Sequence, residues 1–371
     1  MSSGPMLAIP MAEPGVEREP AQSQVRQRRR QANGSTQNGK PPGGGTDTGR
    51  DGKVEKEHEH KHEHEDEDDR HSVITDIVDE VAATVENIAE QLTCVWDELQ
   101  DWQRDNHFII YGYRPATASY RKSLRSLSYW HNESINIYTH LLGAIFFTAG
   151  SYVLYAVLAP RYPTATRADI YAFLSFFIGC FVCLGLSATY HTVCNHSAVA
   201  ARWWNVLDYV GIVGLIAGSF VGSVFYGFRC ETAVRDAYWV MMCTIGVACA
   251  TISIHPHFRT PKYRTMRTSM FSAMGLSGFL PIVHGMQLYG VAEASRRCGL
   301  PWLLAEGVSY IIGAAMYAAR VPERWRPGTF DIVGASHQIF HVLVLGGAVL
   351  HLASLVAAFD YLHAGGEGAV C

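Results

Sequence analysis

Long apolar runs separated by short polar connectors dominate the chain from about residue 135 onward. A helix that crosses a bilayer core needs about 20 predominantly apolar residues. Seven segments meet that demand: 138–158, 169–190, 204–228, 237–254, 268–289, 301–319 and 335–358. The connectors hold most of the proline and charge, as in APRYPTATRAD, HPHFRTPKYRTMRT and RVPERWRPGTFD. A soluble fold with seven buried helices would show polar faces along them, so the pattern predicts an all-α membrane protein. The predicted domain is a seven-helix bundle over 135–360, followed by a short outer tail, 361–371.

Upstream the pattern changes. Val73, Ile77, Val81, Val85, Ile88 and Leu92 recur at three- and four-residue spacing with acids between them, the periodicity of an amphipathic helix. The whole stretch 73–106 is too polar to span. It is expected to pack under the bundle or lie at the interface, within a cytoplasmic pre-membrane region, 73–134. Residues 1–72 are rich in Gly, Pro, Gln and charge. They cannot bury enough apolar surface to offset chain entropy, which predicts a disordered tail. The tail contains EKEHEHKHEHEDEDDRH, in which His58, His60, His62, His64 and His71 alternate with acids. Such a tract either binds divalent ions weakly or serves as a polar spacer. The first thirty residues show no secretory signal; they carry RQRRR in place of an apolar core.

Composition adds little alone, because 48% hydrophobic content averages with the tail to a mean hydropathy of only +0.03. Charge placement says more. Twelve Lys and Arg flank the spans on the N-terminal side, from Arg114 to Arg326, against six on the other, from Arg161 to Arg297. By the positive-inside rule this places the N-terminus in the cytoplasm and the C-terminus outside the cell or in a lumen, opposite to a G-protein-coupled receptor. The nine cysteines show no metal-ligand rhythm. Cys180 and Cys183 form a CxxC inside an apolar helix, where packing is their expected role. Cys230 and Cys298 fall in loops on the same predicted side, where a disulfide between them is open.

The chemistry concentrates at one end of the predicted bundle. His337 and His341 sit four apart, on one face of the last span. His191 closes the second span, and Asp208 lies near the start of the third. With the predicted orientation, all four reach the same depth on the cytoplasmic side. Three imidazoles from two helices suit a zinc ion with one open coordination position, and the absence of thiolates disfavours a soft metal. Asp208 reads either as general base for a zinc-activated water or as a span-boundary carboxylate capping a helix. Ser187 either bonds a ligand or its own helix. Glu133, Asn136 and His140 are placed to line the same end, with His140 supporting the site or bonding between helices. His255 and His257 read as solvated loop residues, and His284 and His351 as interhelical hydrogen-bonding groups.

The stretches DWQRDNHFIIYGYRP, HNESINIYTHLLGA, SATYHTVCNHS, LDYVGI, FRTPKYR and FDIVGASHQIFHVLVL resemble the progestin and adipoQ receptor family, also called haemolysin III-related. The nearest likeness is its adiponectin-receptor-like branch, with its fungal zinc-homeostasis members, and it runs over about residues 96–358. The resemblance implies a seven-helix membrane protein with an inward N-terminus and one intramembrane zinc. It carries the zinc ligands onto His191, His337 and His341, a carboxylate reaching the metal through water onto Asp208, and a motif serine onto Ser187. It implies receptor signalling, ceramidase activity and ties to zinc and lipid homeostasis. The expected partners are the lipid bilayer and a ceramide-like substrate, with no nucleic acid and no inferable extracellular ligand. The leading expectation is a zinc-dependent lipid amide hydrolase. A receptor or sensor with structural zinc, and a zinc transporter or channel, are the alternatives.

Overall fold

The computed structural model describes residues 93–364 and, before them, positions 74, 75, 78, 81 and 92. The chain divides into two units, Met1–Ser72 and Val73–Cys371. The tail with its His-rich tract, most of the first part (73–92) of the amphipathic helix expected over 73–106, and residues 365–371 lie outside the described residues.

From residue 93 the expected amphipathic helix does not continue. Short 3-10 turns occupy Trp96–Glu98 and Asp101–Gln103. Cys94 and Tyr113 exchange backbone hydrogen bonds of 2.7 and 3.0 Å, and the Trp96 amide donates to the Ile110 carbonyl at 2.9 Å. These backbone groups are satisfied by pairing with residues 110–113, so a helical spacing that recorded only local preference is overridden.

Helices follow: α1 Tyr120–Arg125, α2 Ser134–Arg161, α3 Arg167–Val193, α4 Ala198–Gly227, α5 Thr232–Ile254, α6 Arg264–Leu276, α7 Phe279–Tyr289, α8 Val291–Cys298, α9 Leu300–Ala319 and α10 Ser336–His363. Six of these, α2, α3, α4, α5, α9 and α10, are long and apolar enough to cross a membrane. Their outer faces carry exposed Leu142, Phe146, Phe181, Val240 and Val247, as lipid-facing helices do. The fifth expected span, 268–289, is two helices, with a break at Ser277–Gly278. Gly275, Gly278 and Pro281 cluster there. Pro281 offers no amide and crowds the carbonyl four residues back, at Ser277.

Polar residues start several of the helices, two of the spans among them. Asp169 accepts from the Thr166 amide at 2.8 Å in a capping box at the head of α3. Ser197 accepts from the Ala200 amide at 3.3 Å at the head of α4. The core runs along α3, where Phe176, Cys180 and Leu184 are fully buried against Phe147 of α2, Leu215 of α4 and Leu355 of α10. The α3–α4 interface is tight because it is built from glycine. A Cβ on Gly211 would lie 2.9 Å from the Cys183 Cα, and one on Gly218 would collide with the Ser175 carbonyl. Small residues at this spacing let helix backbones approach in a membrane. That approach holds Asp208, one turn before Gly211, beside the end of α3.

Candidate metal centre

The three histidines and Glu133 are delivered by helix ends, while Ser187 and Asp208 stand further along α3 and α4. His191 is in the last turn of α3, His337 and His341 are in the first turns of α10, and Glu133 is the N-cap of α2. One ring nitrogen from each of the three histidines lies within 4.8 Å of the others. His191 and His341 are buried, and His337 is partly so.

The hydrogen bonds decide which nitrogens are available. His191 Nδ1 pairs with Glu133 Oε2 at 2.7 Å, while its buried Nε2 has no partner. His341 Nδ1 lies 3.1 Å from the Asn136 carbonyl. A carbonyl only accepts, so the proton sits on Nδ1 and the Nε2 lone pair is left for another acceptor of electrons. Asn136 Nδ2 also donates to Glu133 Oε2 at 2.7 Å. Residues 133 and 136, one turn of α2, thus fix both rings. This is the outer support by which carboxylates and carbonyls orient metal-ligating histidines. An orphaned inward nitrogen on a buried, carboxylate-oriented imidazole fits a divalent ion with nitrogen ligands, zinc among them.

His140 takes a different part from a hydrogen-bonding one. It stacks on His341 with centroids 3.6 Å apart and rings 9° from parallel, and neither of its nitrogens has a hydrogen-bond partner in the protein. Asp208 and Ser187 are buried and line, with His337 and His341, a mostly apolar cavity of about 290 Å³. The Ser187 side chain interacts with the Asp208 carboxylate. The cavity continues along α4, α6, α7, α9 and α10, past Glu306 and His351.

Two buried charges that the sequence reading left aside hold the helix ends carrying the histidines. Arg114, read only as an orientation charge, donates to the carbonyls of His191 at 2.5 Å and Thr192 at 2.9 Å, and to Ser126 Oγ at 2.7 Å. A guanidinium on the final carbonyls of α3 satisfies groups that the helix leaves open. Glu323 accepts from the Ser336 amide at 2.8 Å, at the head of α10, and from Asn106 Nδ2 at 3.0 Å. Asp331 accepts from the amides of Ile110 and Tyr111 at 2.9 and 2.7 Å. Residues 106–114 therefore bridge both histidine-bearing helices. Beside them His131 is completely buried, and burial, with Arg114 adding, pushes its pKa down to about 3. In sequence only Glu323 lies in the polar segment leading into the helix it holds; Arg114 is 77 residues from its His191 partner, and no local pattern links the two.

The other histidines stay apart from the cluster. His257 pairs with the Tyr263 hydroxyl at 2.7 Å in the loop after α5. His284 pairs with the Tyr238 hydroxyl at 3.0 Å, between helices as expected. Cys298 carries a free, buried thiol, so the disulfide considered with Cys230 is not formed. The end of α8 packs inward against α10, where Ser354 Oγ donates to the Cys298 carbonyl at 2.8 Å.

The sequence pattern described as Haemolysin-III related matches residues 128–352. The chain is 39% identical over 292 residues to the adiponectin receptor protein of Drosophila melanogaster, covering 75% of this chain and 65% of that one. It is 39% identical over 269 residues to the ADIPOR-like receptor IZH2 of Saccharomyces cerevisiae, covering 72% and 84%. Heptahelical transmembrane protein 1 of Arabidopsis thaliana is 35% identical over 271 residues, covering 71% and 80%.

Proposed function

Because the chain belongs to the haemolysin-III-related family, in its adiponectin-receptor-like branch, we propose that it is a zinc-dependent membrane hydrolase acting on a lipid amide of ceramide type. The observation that carries this reading is the single cavity shared by the histidine cluster, Asp208, Ser187 and a long apolar interior. His191, His337 and His341 would hold the ion. Bound there, zinc supplies Lewis acidity and an activated water at neutral pH.

The remaining steps belong to the chain's own groups. Glu133 and the Asn136 carbonyl keep two ligand nitrogens aimed inward before any substrate arrives. Asp208 takes the proton released as water attacks the amide carbonyl. It then returns that proton to the departing amine, as general base and general acid in turn. Ser187 orients the Asp208 carboxylate. The apolar wall receives the acyl chain and keeps bulk water from the site. In this reading the broken pair α6–α7 makes a seventh crossing, the N-terminus faces the cytoplasm, and the enzyme works within lipid and zinc homeostasis.

The test uses purified full-length protein with defined zinc content and a ceramide substrate. His337→Ala is expected to lose both metal and turnover. Asp208→Asn is expected to keep the metal and lose turnover by about 10²–10⁴-fold, the usual worth of a positioned acid–base group. Full turnover in metal-free protein or in Asp208→Asn would overturn the reading. A receptor with structural zinc is the second reading, favoured by the receptor names of the fly and yeast relatives. Under it, Asp208→Asn preserves signalling output while His341→Ala abolishes it.

A further inference from the structure

The cavity that begins at the histidine cluster runs past a second buried ionisable pair. His351 Nδ1 lies 2.8 Å from Glu306 Oε2, and His351 Nε2 lies 3.1 Å from the Ser219 carbonyl. His351 is 2% exposed. Three helices, α4, α9 and α10, meet at this imidazole. An ionisable pair inside a membrane helix bundle marks a functional position more often than a structural one.

Around the pair stand hydroxyls without partners. Tyr310, one turn along α9 from Glu306, has a buried hydroxyl with no hydrogen bond. Ser223, one turn along α4 from Ser219, has the same. Glu306, His351, Tyr310, Ser219 and Ser223 all line the cavity. Tyr310 reaches its position because Gly347 leaves it room, since a Cβ on Gly347 would strike the tyrosine ring. Buried polar groups in native proteins are nearly always bonded, so two idle hydroxyls facing one cavity next to a carboxylate call for a ligand that bonds them.

The protonation logic selects its chemistry. The Ser219 carbonyl can only accept, so Nε2 carries a proton. The pair is then either imidazolium with carboxylate or neutral imidazole with carboxylic acid, and it has no net charge either way. An ammonium or carboxylate brought to this pair would lack a counter-charge in a dry setting, which is costly. A neutral hydroxyl fits: it donates to Glu306 Oε1 and accepts from the Tyr310 hydroxyl. His341 and His351 are ten residues apart on α10, about 15 Å along the helix axis.

We propose that Glu306, His351 and Tyr310 form a second polar subsite in the wall of the cavity, which takes a hydroxyl carried on a lipid chain about 15 Å from the head group held at the histidine cluster. The subsite rests on the reading of the cavity as a lipid site, and its ligand class is an aliphatic chain bearing a distal alcohol.

The experiment compares 12-hydroxydodecanoic acid with dodecanoic acid in displacing a fluorescent fatty acid from zinc-loaded, full-length protein. The hydroxy acid is expected to bind about fivefold more tightly, the worth of one well-made hydrogen bond. In Tyr310→Phe and in Glu306→Gln that ratio falls to about one while dodecanoic acid binds as before. Tyr310→Phe removes only an idle hydroxyl, so it tests the subsite even where Glu306→Gln fails to fold. Equal binding of the two acids to the unaltered protein overturns the subsite and leaves the hydrolase reading standing. A preference unchanged in Tyr310→Phe overturns it too. Displacement by neither acid overturns the subsite together with the lipid-cavity reading.

Discussion

Removing the Glu133 carboxylate should weaken metal binding without touching a ligand. Its Oε2 lies 2.7 Å from His191 Nδ1, and Asn136 donates to the same oxygen at 2.7 Å. A charge-assisted bond of that length fixes the imidazole's tautomer and makes its Nε2 a better donor to a cation. Loss of such outer support usually costs 10- to 100-fold in metal affinity, which is about 1.4–2.8 kcal/mol. Glu133→Ala should show the full loss, since His191 is freed to rotate and Asn136 loses its acceptor. Glu133→Gln keeps an acceptor oxygen without the charge, so it should fall between the two. The assay is a zinc titration of purified full-length protein against a competing chelator, with circular dichroism to confirm equal helix content. An unchanged zinc affinity in a folded Glu133→Ala protein would refute the reasoning, as would a glutamine variant weaker than the alanine one.

Acidification should destabilise the membrane-proximal region through His131. Its folded pKa of about 3 lies below the usual 6.5, so the unfolded chain binds more protons as pH falls. Stability is therefore full above pH 6.5 and declines below it, by about 2 kcal/mol at pH 5; thermal unfolding of His131→Gln against the unaltered protein over that range checks it. Arg114→Met leaves the end carbonyls of α3 without their donor, at about 1–3 kcal/mol for each. The melting temperature should drop, and zinc affinity with it as His191 loses its register; a drop in neither would contradict the role. Gly218→Val forces α4 away from the Ser175 carbonyl. The expected cost is about 1–3 kcal/mol, seen as a lower melting temperature, whereas the same change at Gly150, where a Cβ meets open space, should be near neutral.

The apolar runs by themselves determined that this is a multi-pass membrane protein. Residues without periodic polar faces have no stable place except in lipid or against one another, and length alone marks them as spans. The four-residue spacing of His337 and His341 likewise required a shared helix face. The positions of His191 and Asp208 near the ends of their apolar runs create the expectation of one shared depth, although α4 begins at Ala198 and Asp208 stands ten residues inside it. Tertiary structure decided the rest. Glu133 and Asn136 act on His191 and His341 from positions 58 and 205 residues away in sequence, and no local pattern encodes that distance. Arg114 and Glu323 looked like ordinary charges because their partners are helix-end carbonyls and amides, which every helix has and which no sequence distinguishes. The 93–106 stretch lost its helix to pairing with residues 110–113, and Gly278 and Pro281 broke the fifth span at a point where hydropathy stayed high. Hydropathy reads the solvent a segment prefers; only the packing of distant helices fixes which polar groups meet inside it.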